Sequence, residues 1–273
     1  MIDLSGALPT RACDCHVHIY DPARFPAPVS VPMATWSDVQ HMHRSLGIQR
    51  TVLVQPMAYG FDNTCLLDAL QQAGEQARGI AVIPTDIADE ELLSLHRSGV
   101  RGVRFMMISG AGGVLGWDVL ETLSARIAEL GWVINLQLDG RELPEFEARL
   151  LALPSRLSID HTGKFLEPVT PDAAAFKSLR RLIEAGNTWV KVSAPYETSK
   201  KGPPHYADVS LLASILVELY PERCLWASNW PHPGRNPAPD DAQLLALFGQ
   251  WAQQPSARQK ILAANPEALY GFV

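Results

Sequence analysis

The stretch 11-RACDCHVHIYDP-22 places three polar residues, Asp14, His16 and His18, at alternate positions of a short apolar run. Residues two apart in a β-strand project from the same face, so this spacing predicts one face lined by a carboxylate and two imidazoles. The opposite face would carry two cysteines and a valine. Three aligned polar groups fill a core poorly, so the stretch predicts a strand that leads into a functional site.

Seven further apolar runs of strand length follow, and segments with helical periodicity separate them. The predicted strands cover residues 11–19, 50–55, 79–85, 101–107, 132–138, 156–161, 188–193 and 223–229. The predicted helices cover residues 36–47, 63–77, 89–99, 117–131, 142–153, 171–186, 207–220 and 241–254. Eight strand–helix alternations in about 250 residues predict an α/β fold, a single-domain (β/α)8 TIM barrel over residues 1–273. An open doubly wound sheet is the alternative, although no glycine-rich fingerprint follows the first strand.

The composition narrows the class of protein further. The chain of 273 residues has a net charge of −6 and shows no clustering of its 23 Lys and Arg residues, which argues against a nucleic-acid partner. No apolar run approaches the roughly 20 residues of a membrane helix, and the N-terminus lacks a signal-peptide pattern. The four scattered cysteines are predicted to be buried free thiols. We expect a cytoplasmic protein with no membrane partner; its oligomeric state is not predicted.

Polar residues recur at the ends of the predicted strands, where TIM barrels form their active sites. They are His18, Gln55, Arg104, Gln137, His161, Ser193 and Asn229. Two imidazoles two positions apart on a strand can reach one carbonyl oxygen or one metal ion. A metal-dependent hydrolase would need another histidine on the fifth strand and an acid on the eighth. This chain has Gln137 and Asn229 there, and neutral amides are weak metal ligands.

Four segments together resemble the amidohydrolase superfamily, specifically its 2-pyrone-4,6-dicarboxylate lactonase-like branch. They are the Asp-x-His-x-His of residues 14–18, 158-SIDHTGK-164, 226-WASNWPHP-233 and 265-NPEALYGF-272, and the match covers nearly the whole chain. The resemblance implies a TIM barrel that opens a lactone ring, in some members without a metal. It also implies that His16, His18 and His161 surround the lactone carbonyl. If a divalent metal such as zinc is bound instead, these three histidines are its expected ligands.

Position 229 departs from this pattern, because the usual general base of the superfamily there is Asp and this chain has Asn229. An amide has no useful basicity near pH 7, so it can orient a water molecule but cannot take its proton. The resemblance also implies that the branch includes lactone isomerases of sugar diacids, in which a substrate hydroxyl replaces water and an Asn at this position is less damaging. We expect Asn229→Asp to raise hydrolysis relative to isomerisation. His232 is the other candidate base.

Basic and polar side chains near the predicted mouth fit a small anionic lactone. Arg104 is the strongest candidate, because it ends an apolar strand and a guanidinium can bind a carboxylate through two hydrogen bonds. The other predicted substrate contacts are Gln55, Tyr59, Gln137, Lys164, Ser193, Tyr196, Lys200 and His232. Asp14 is predicted to orient a histidine from behind the site.

The predicted activity is therefore hydrolysis of a carboxylated lactone, catalysed by His16, His18, His161 and Asn229 without a cofactor. Three alternatives stay open at this point. They are a lactone isomerase, a metal-dependent decarboxylase or amide hydrolase of the same superfamily, and a barrel that binds a carboxylated metabolite without converting it.

Overall fold

All eight predicted strands are present in the computed structural model, which describes residues 8–272. They are β1 (Cys13–Val17), β2 (Arg50–Val54), β3 (Ala77–Ala81), β4 (Val100–Met106), β5 (Val133–Gln137), β6 (Arg156–Ile159), β7 (Thr188–Ser193) and β8 (Cys224–Ala227). Each strand overlaps its predicted segment. The first seven residues and residue 273 of the predicted domain lie outside the described residues.

The strands are parallel, and each pairs with its neighbour in sequence order from β1 to β8. Two backbone hydrogen bonds join the ends of the sheet just beyond β8. The amide of Asn229 donates to the carbonyl of His16 at 3.0 Å, and the amide of His18 donates to the carbonyl of Trp230 at 2.9 Å. The sheet therefore closes into a (β/α)8 barrel, which confirms the predicted fold and excludes the open doubly wound sheet.

A helix follows each strand along the chain, in the segments where helices were predicted. The helices are α1 (Trp36–Leu46), α2 (Thr64–Ala73), α3 (Asp89–Arg97), α4 (Leu120–Ala128), α5 (Leu143–Leu151), α6 (Ala174–Glu184), α7 (Ala207–Leu219) and α8 (Asp241–Trp251). Local sequence fixes some of the boundaries: Thr35 and Asp38 form a reciprocal capping box at the start of α1. Within residues 8–272, no helix has the length and apolar character needed to cross a membrane.

Two short helices that the sequence analysis did not predict follow α8. They are α9 (Pro255–Gln259) and α10 (Asn265–Tyr270), joined by the π-helical segment Lys260–Ala264. Tyr270 and Phe272 are buried in one cluster with Cys13 and Cys15 of β1. All four cysteines are buried and free, as predicted. Apolar side chains thus fill the end of the barrel near the start of β1, and the polar groups gather at the opposite end.

Strand β1 does not keep the regular alternation that the sequence predicts. Its register with β2 shifts between Asp14 and Val17, which marks a β-bulge. The carboxylate of Asp14 lies 3.4 Å from Nε2 of His43 on helix α1, whereas His16 contacts residues inside the barrel. The prediction that Asp14 shares a face with the two histidines is therefore wrong, because the bulge reverses the side-chain direction between them.

Candidate active site

A cavity of about 320 Å³ opens at the C-terminal ends of the strands. Six of the predicted site residues line it: His18, Arg104, Gln137, His161, Lys164 and Asn229. A larger pocket of about 810 Å³ lies against Arg78 and Arg101, near the opposite ends of β3 and β4, and none of the predicted site residues lines it. The smaller cavity is therefore the candidate active site, because it collects the polar side chains of several strands.

Beneath the cavity, the ammonium group of Lys191 lies fully buried in the barrel. Its Nζ lies 3.0 Å from Oδ1 of Asp160 and 3.1 Å from Nδ1 of His16, and it also donates to the side-chain oxygen of Asn135. The ammonium group thus has one ionic partner, Asp160, and two polar partners, His16 and Asn135. Burial alone would raise the pKa of Asp160, but Lys191 and His16 outweigh it and hold the pKa well below its usual range. The carboxyl group of Asp160 is therefore ionised.

Lys191 also fixes the hydrogen positions on the two imidazoles of β1. An ammonium group can only donate, so Nδ1 of His16 accepts and its Nε2 carries the hydrogen. That Nε2 lies 3.3 Å from Nε2 of His18, whose Nδ1 lies 2.8 Å from the carbonyl of Val54. Burial lowers the pKa of His18 to about 3 and that of His16 well below its usual range. Both rings are therefore neutral at pH 7 and form one chain of hydrogen bonds.

Among the described residues, His16, Asp160 and His161 could together hold a metal ion, because their ligand atoms lie within 4.8 Å of one another. The ammonium of Lys191 already contacts two of the three, and a divalent cation beside it would face strong repulsion in a buried site. This donor set does not fit a divalent ion while Lys191 is protonated.

His161 enters the site from the loop after β6, through strained backbone. Six residues with positive φ lie just after the last three strands: His161, Thr162, Lys164, Ala194, Asn229 and His232. Such φ values are costly for residues other than glycine and concentrate at functional sites. Nδ1 of His161 lies 3.0 Å from the hydroxyl of Ser193, and burial lowers the pKa of His161 to about 4. His161 is therefore a second neutral imidazole on the cavity wall.

Arg104 is a buried cation with no carboxylate partner among residues 8–272. Its Nη1 donates to the carbonyl of Gln55 at 2.6 Å and its Nη2 to the side-chain oxygen of Gln137 at 3.4 Å. Within the same residues, its Nε has no hydrogen-bond partner. Burial lowers the pKa of Arg104, yet a guanidinium stays charged in proteins. An unpaired buried cation on a cavity wall indicates a site built for an anionic ligand.

The loop after β7 brings a carboxylate to the cavity that the sequence analysis did not identify. Glu197 has a side chain only 15% exposed, pairs with Lys164, and accepts a hydrogen bond of 3.0 Å from Nδ2 of Asn229. Burial would raise the pKa of Glu197, but His161 and Lys164 outweigh it and lower that pKa below its usual value. The available signal was its place in 195-PYE-197, directly after a strand, as for the other site residues.

His232 lies behind the cavity wall in a second chain of hydrogen bonds. Its Nε2 lies 3.1 Å from the carboxylate of Asp241, and its Nδ1 lies 2.7 Å from the hydroxyl of Tyr196. Nδ2 of Asn229 donates to the same hydroxyl at 3.0 Å. A carboxylate only accepts, so His232 carries its hydrogen on Nε2 and Tyr196 donates to Nδ1. His232 does not line the cavity and its Nδ1 faces the hydroxyl of Tyr196, which argues against direct proton transfer from a water molecule in the cavity to His232.

Several predicted substrate contacts turn away from the cavity. The side chain of Gln55 donates to the carbonyls of Gly60 and Asp62, so only its main chain meets Arg104. The hydroxyl of Tyr59 accepts a hydrogen bond of 3.2 Å from the backbone amide of Asp21. These two side chains therefore support the loop after β2, and neither lines the cavity.

Lys200 and Asp14 also lie outside the cavity. The ammonium of Lys200 pairs with Glu167 at 3.0 Å, and its side chain is 56% exposed. The carboxylate of Asp14 accepts from the backbone amides of His16, at 3.2 Å, and Ser228, at 3.0 Å. Asp14 thus fixes the main chain where β1 meets the end of β8, and the imidazole that its carboxylate faces, at 3.4 Å, belongs to His43 on α1 rather than to a histidine of the cavity.

The fold and the site together define a (β/α)8-barrel protein with neutral histidines, a buried lysine–aspartate pair and an unpaired arginine at the C-terminal ends of its strands. Sequence comparison makes the assignment specific. The chain belongs to the amidohydrolase family, whose model matches residues 13–272.

Similar proteins cover nearly the whole chain. A 2-pyrone-4,6-dicarboxylate hydrolase of Comamonas testosteroni is 35% identical, and the match covers 96% of this chain and 91% of that protein. A D-galactarolactone isomerase of Agrobacterium fabrum is 33% identical, with 97% and 92% covered. The apo crystal structure of an Agrobacterium tumefaciens protein superimposes with a TM-score of 0.91 at 32% identity and covers 98% of both chains.

Proposed function

We propose that the protein is a hydrolase that opens the lactone ring of a small carboxylated substrate, similar to 2-pyrone-4,6-dicarboxylate. The observation that carries this proposal is Arg104, a buried cation without a carboxylate partner among the described residues, on the wall of a cavity of about 320 Å³. The similarity to a hydrolase of that dicarboxylate supports the same substrate class.

The described groups divide into binding and catalytic roles. Arg104 holds a carboxylate of the substrate, because a guanidinium can donate two parallel hydrogen bonds to it. His161 lines the cavity as a neutral ring, so it can hydrogen-bond the lactone carbonyl without adding charge. Both ring nitrogens of His18 are already engaged, by the carbonyl of Val54 and by His16, so His18 shapes the cavity wall beside the lactone carbonyl. Fixed polar groups around that carbonyl stabilise the oxyanion that forms when water attacks, and such groups commonly contribute 10²–10³ in turnover. Lys191 holds His16 in one tautomer beneath them.

The reaction requires no metal in this proposal, because the ammonium of Lys191 lies between two of the three candidate ligands. Elemental analysis of protein purified without added metal, followed by assays with and without a chelator, tests this part. We expect no stoichiometric zinc or manganese and no loss of activity. Loss of bound metal together with activity, restored by adding the metal back, would show that the site works as a metal centre.

A lactone isomerase is the second candidate, and Asn229 is the observation that favours it. The position holds an amide, and the 33% identical relative from Agrobacterium fabrum is an isomerase. In that reaction a hydroxyl of the substrate attacks the carbonyl in place of water. The same pocket could serve both reactions, since they share the carbonyl, the oxyanion and the carboxylate contacts.

Turnover of a panel of carboxylated lactones in water labelled with oxygen-18 separates the candidates. The panel includes 2-pyrone-4,6-dicarboxylate and lactones of sugar diacids, followed by NMR and mass spectrometry. Label in an open-chain acid supports hydrolysis, whereas a new lactone without label means isomerisation. Binding without conversion across the panel would leave a protein that only captures carboxylated metabolites, and release of carbon dioxide would identify a decarboxylase.

A further inference from the structure

The proposed reaction needs a group that accepts a proton from the attacking oxygen, and the end of β8 does not supply one. Asn229 has no basicity there, and its Nδ2 donates to both Tyr196 and Glu197. His232 receives the hydrogen of Tyr196 on Nδ1 and faces Asp241 with Nε2. Neither residue after β8 therefore offers a basic atom directly to the cavity, because Asn229 is an amide and His232 lies behind the cavity wall.

A carboxylate stands beside Asn229, on the neighbouring loop after β7. Oε1 of Glu197 lies 3.0 Å from Nδ2 of Asn229, and Oε2 pairs with Nζ of Lys164. The orientation of the amide follows from chemistry, because an ionised carboxylate can only accept and must face the NH₂ group. A carboxylate offers about four lone-pair positions, and these two contacts use two of them. The side chain is 15% exposed and lines the cavity, so water can reach it.

The charges around Glu197 favour its ionised form. Lys164 pairs with it directly, and the guanidinium of Arg235 lies near enough to stabilise the negative charge. Asn229 and Lys164 also hold the two oxygens in place, so the carboxylate has a fixed direction toward the cavity. A carboxylate that is ionised, held by two partners and part of the cavity wall has the chemistry of a general base.

We propose that Glu197 is the general base of the reaction and replaces the acid that the end of β8 lacks. This role rests on the proposed function. Glu197 takes one proton from water as the water oxygen bonds to the lactone carbonyl carbon. The tetrahedral intermediate then expels the ring oxygen, which takes the proton from Glu197 as the ring carbon–oxygen bond breaks. If a substrate hydroxyl attacks instead of water, the same carboxylate accepts and returns the proton.

Asn229 is a positioning residue in this scheme, since it acts through Glu197. The competing explanation is that Glu197 only neutralises Lys164 and keeps that ammonium in place for the substrate. The two explanations predict different kinetics. Loss of a base lowers kcat, whereas a displaced Lys164 raises KM and leaves kcat nearly unchanged.

The test begins with wild-type protein and the best lactone of the panel, followed by Glu197→Gln. Gln keeps the size of the side chain and an acceptor for Lys164, but it cannot take a proton. Glu167→Gln is the matched control, because Glu167 is 62% exposed and pairs with a surface lysine. We expect E197Q to lower kcat by the 10²–10⁴ of general-base catalysis, with KM changed less than about fivefold. The control should match wild type.

A second measurement keeps the proposal testable if E197Q folds poorly. Glu197→Ala opens a space beside Lys164 that a small carboxylate can enter, so we expect formate to restore part of the lost turnover in a saturable manner. Melting temperatures of all variants are compared with wild type before the kinetics are interpreted.

Each outcome decides between the claims. No turnover by wild type on any lactone overturns the proposed function and this role with it. Turnover by wild type together with an unchanged kcat in a folded E197Q, or an effect on KM alone, overturns only the role of Glu197. Failure of formate to restore any turnover in E197A also overturns that role. A large fall in kcat with rescue by formate supports it.

Discussion

The side chain of Asn229 contributes to the site as a hydrogen-bond donor. Nδ2 donates to the phenol of Tyr196 and the carboxylate of Glu197, and the backbone amide of Asn229 closes the barrel against β1. An aspartate could accept at this position but could not donate. The structure therefore changes the result to expect from the substitution that the sequence analysis considered.

We expect Asn229→Asp to lower hydrolysis, rather than raise it as the sequence predicted. The new carboxylate would lie about 3.0 Å from Glu197, and two carboxylates at that distance cannot both stay ionised. The lost hydrogen bonds should also cost about 1–3 kcal/mol of unfolding free energy. The double variant Glu197→Gln with Asn229→Asp restores a donor–acceptor pair with exchanged roles, and it should be more active than N229D. Faster hydrolysis by N229D than by wild type would contradict this account.

Arg104 permits a direct test of substrate binding. Replacing it by methionine removes the unpaired guanidinium, so a substrate carboxylate loses its charge-assisted hydrogen bonds. Such bonds contribute about 1.5–3 kcal/mol, which corresponds to a loss of roughly 10- to 150-fold in kcat/KM, mainly through KM. Arg97→Met on the exposed end of α3 is the matched control. Unchanged kcat/KM for a dicarboxylate in R104M would place the carboxylate elsewhere in the cavity.

The sequence predicted the site residues that interrupt apolar strands, but it did not predict those whose role depends on contacts between strands. His18 and His161 lie at strand ends, where polar side chains interrupt apolar runs, and such interruptions can be recognised from the sequence alone. Lys191 was not among the predicted site residues, because its partners Asn135 and Asp160 belong to β5 and to the end of β6. Contacts between strands depend on register and closure, which the sequence pattern does not contain.

At the scale of secondary-structure elements, periodicity predicted all eight strands and the eight helices that follow them, because each element buries one face in a repeating way. Helices α9 and α10 were missed, since they are short and their packing under the barrel depends on the complete fold. The bulge in β1 was missed for a related reason. An extra residue leaves the composition of a strand unchanged but reverses the direction of every later side chain.

The packing around strand β4 leaves no room for a side chain at Gly102. A Cβ atom on Gly102 would lie 2.4 Å from the carbonyl oxygen of Val133 on β5 and 2.7 Å from a side-chain carbon of Ile80. Because backbone of the neighbouring strand cannot move freely, we expect Gly102→Ala to destabilise the protein by about 1–3 kcal/mol. Urea unfolding measures the loss. The control is Ser98→Ala, at an exposed position. Gly110→Ala would not be a suitable control, because the φ angle of Gly110 is 75° and strains any other residue.

At the scale of the whole molecule, the cations of the cavity contrast with the negative net charge of the protein. The net charge is −6, yet the cavity presents Arg104 and Lys164 to a ligand, above the buried pair of Lys191 and Asp160. An anionic substrate is therefore recognised by a local group of cations rather than by the overall charge of the protein. Burial in this site also keeps the histidines neutral, and this lowers the stability of the folded protein at acidic pH.

Stability should consequently fall as the pH drops below about 6.5, well before the carboxylates titrate. The unfolded chain binds protons on histidine near pH 6.5, whereas the folded His161 and His18 have pKa values lowered by burial to about 4 and about 3. Between these limits the unfolded state holds more protons, so each histidine removes about 1.4 kcal/mol of stability per pH unit as the pH falls. Asp160 behaves differently, because its lowered pKa adds stability that is lost only below its unfolded pKa of about 3.9.

Urea unfolding between pH 7 and pH 5 measures the slope of stability against pH. The variant His161→Gln should reduce this slope by about one proton, whereas the control His41→Gln, on the exposed face of α1, should not. A flat profile over this range, or an unchanged slope in folded H161Q, would mean that His161 can become charged in the folded protein and that the cavity holds water where the structure places a buried ring.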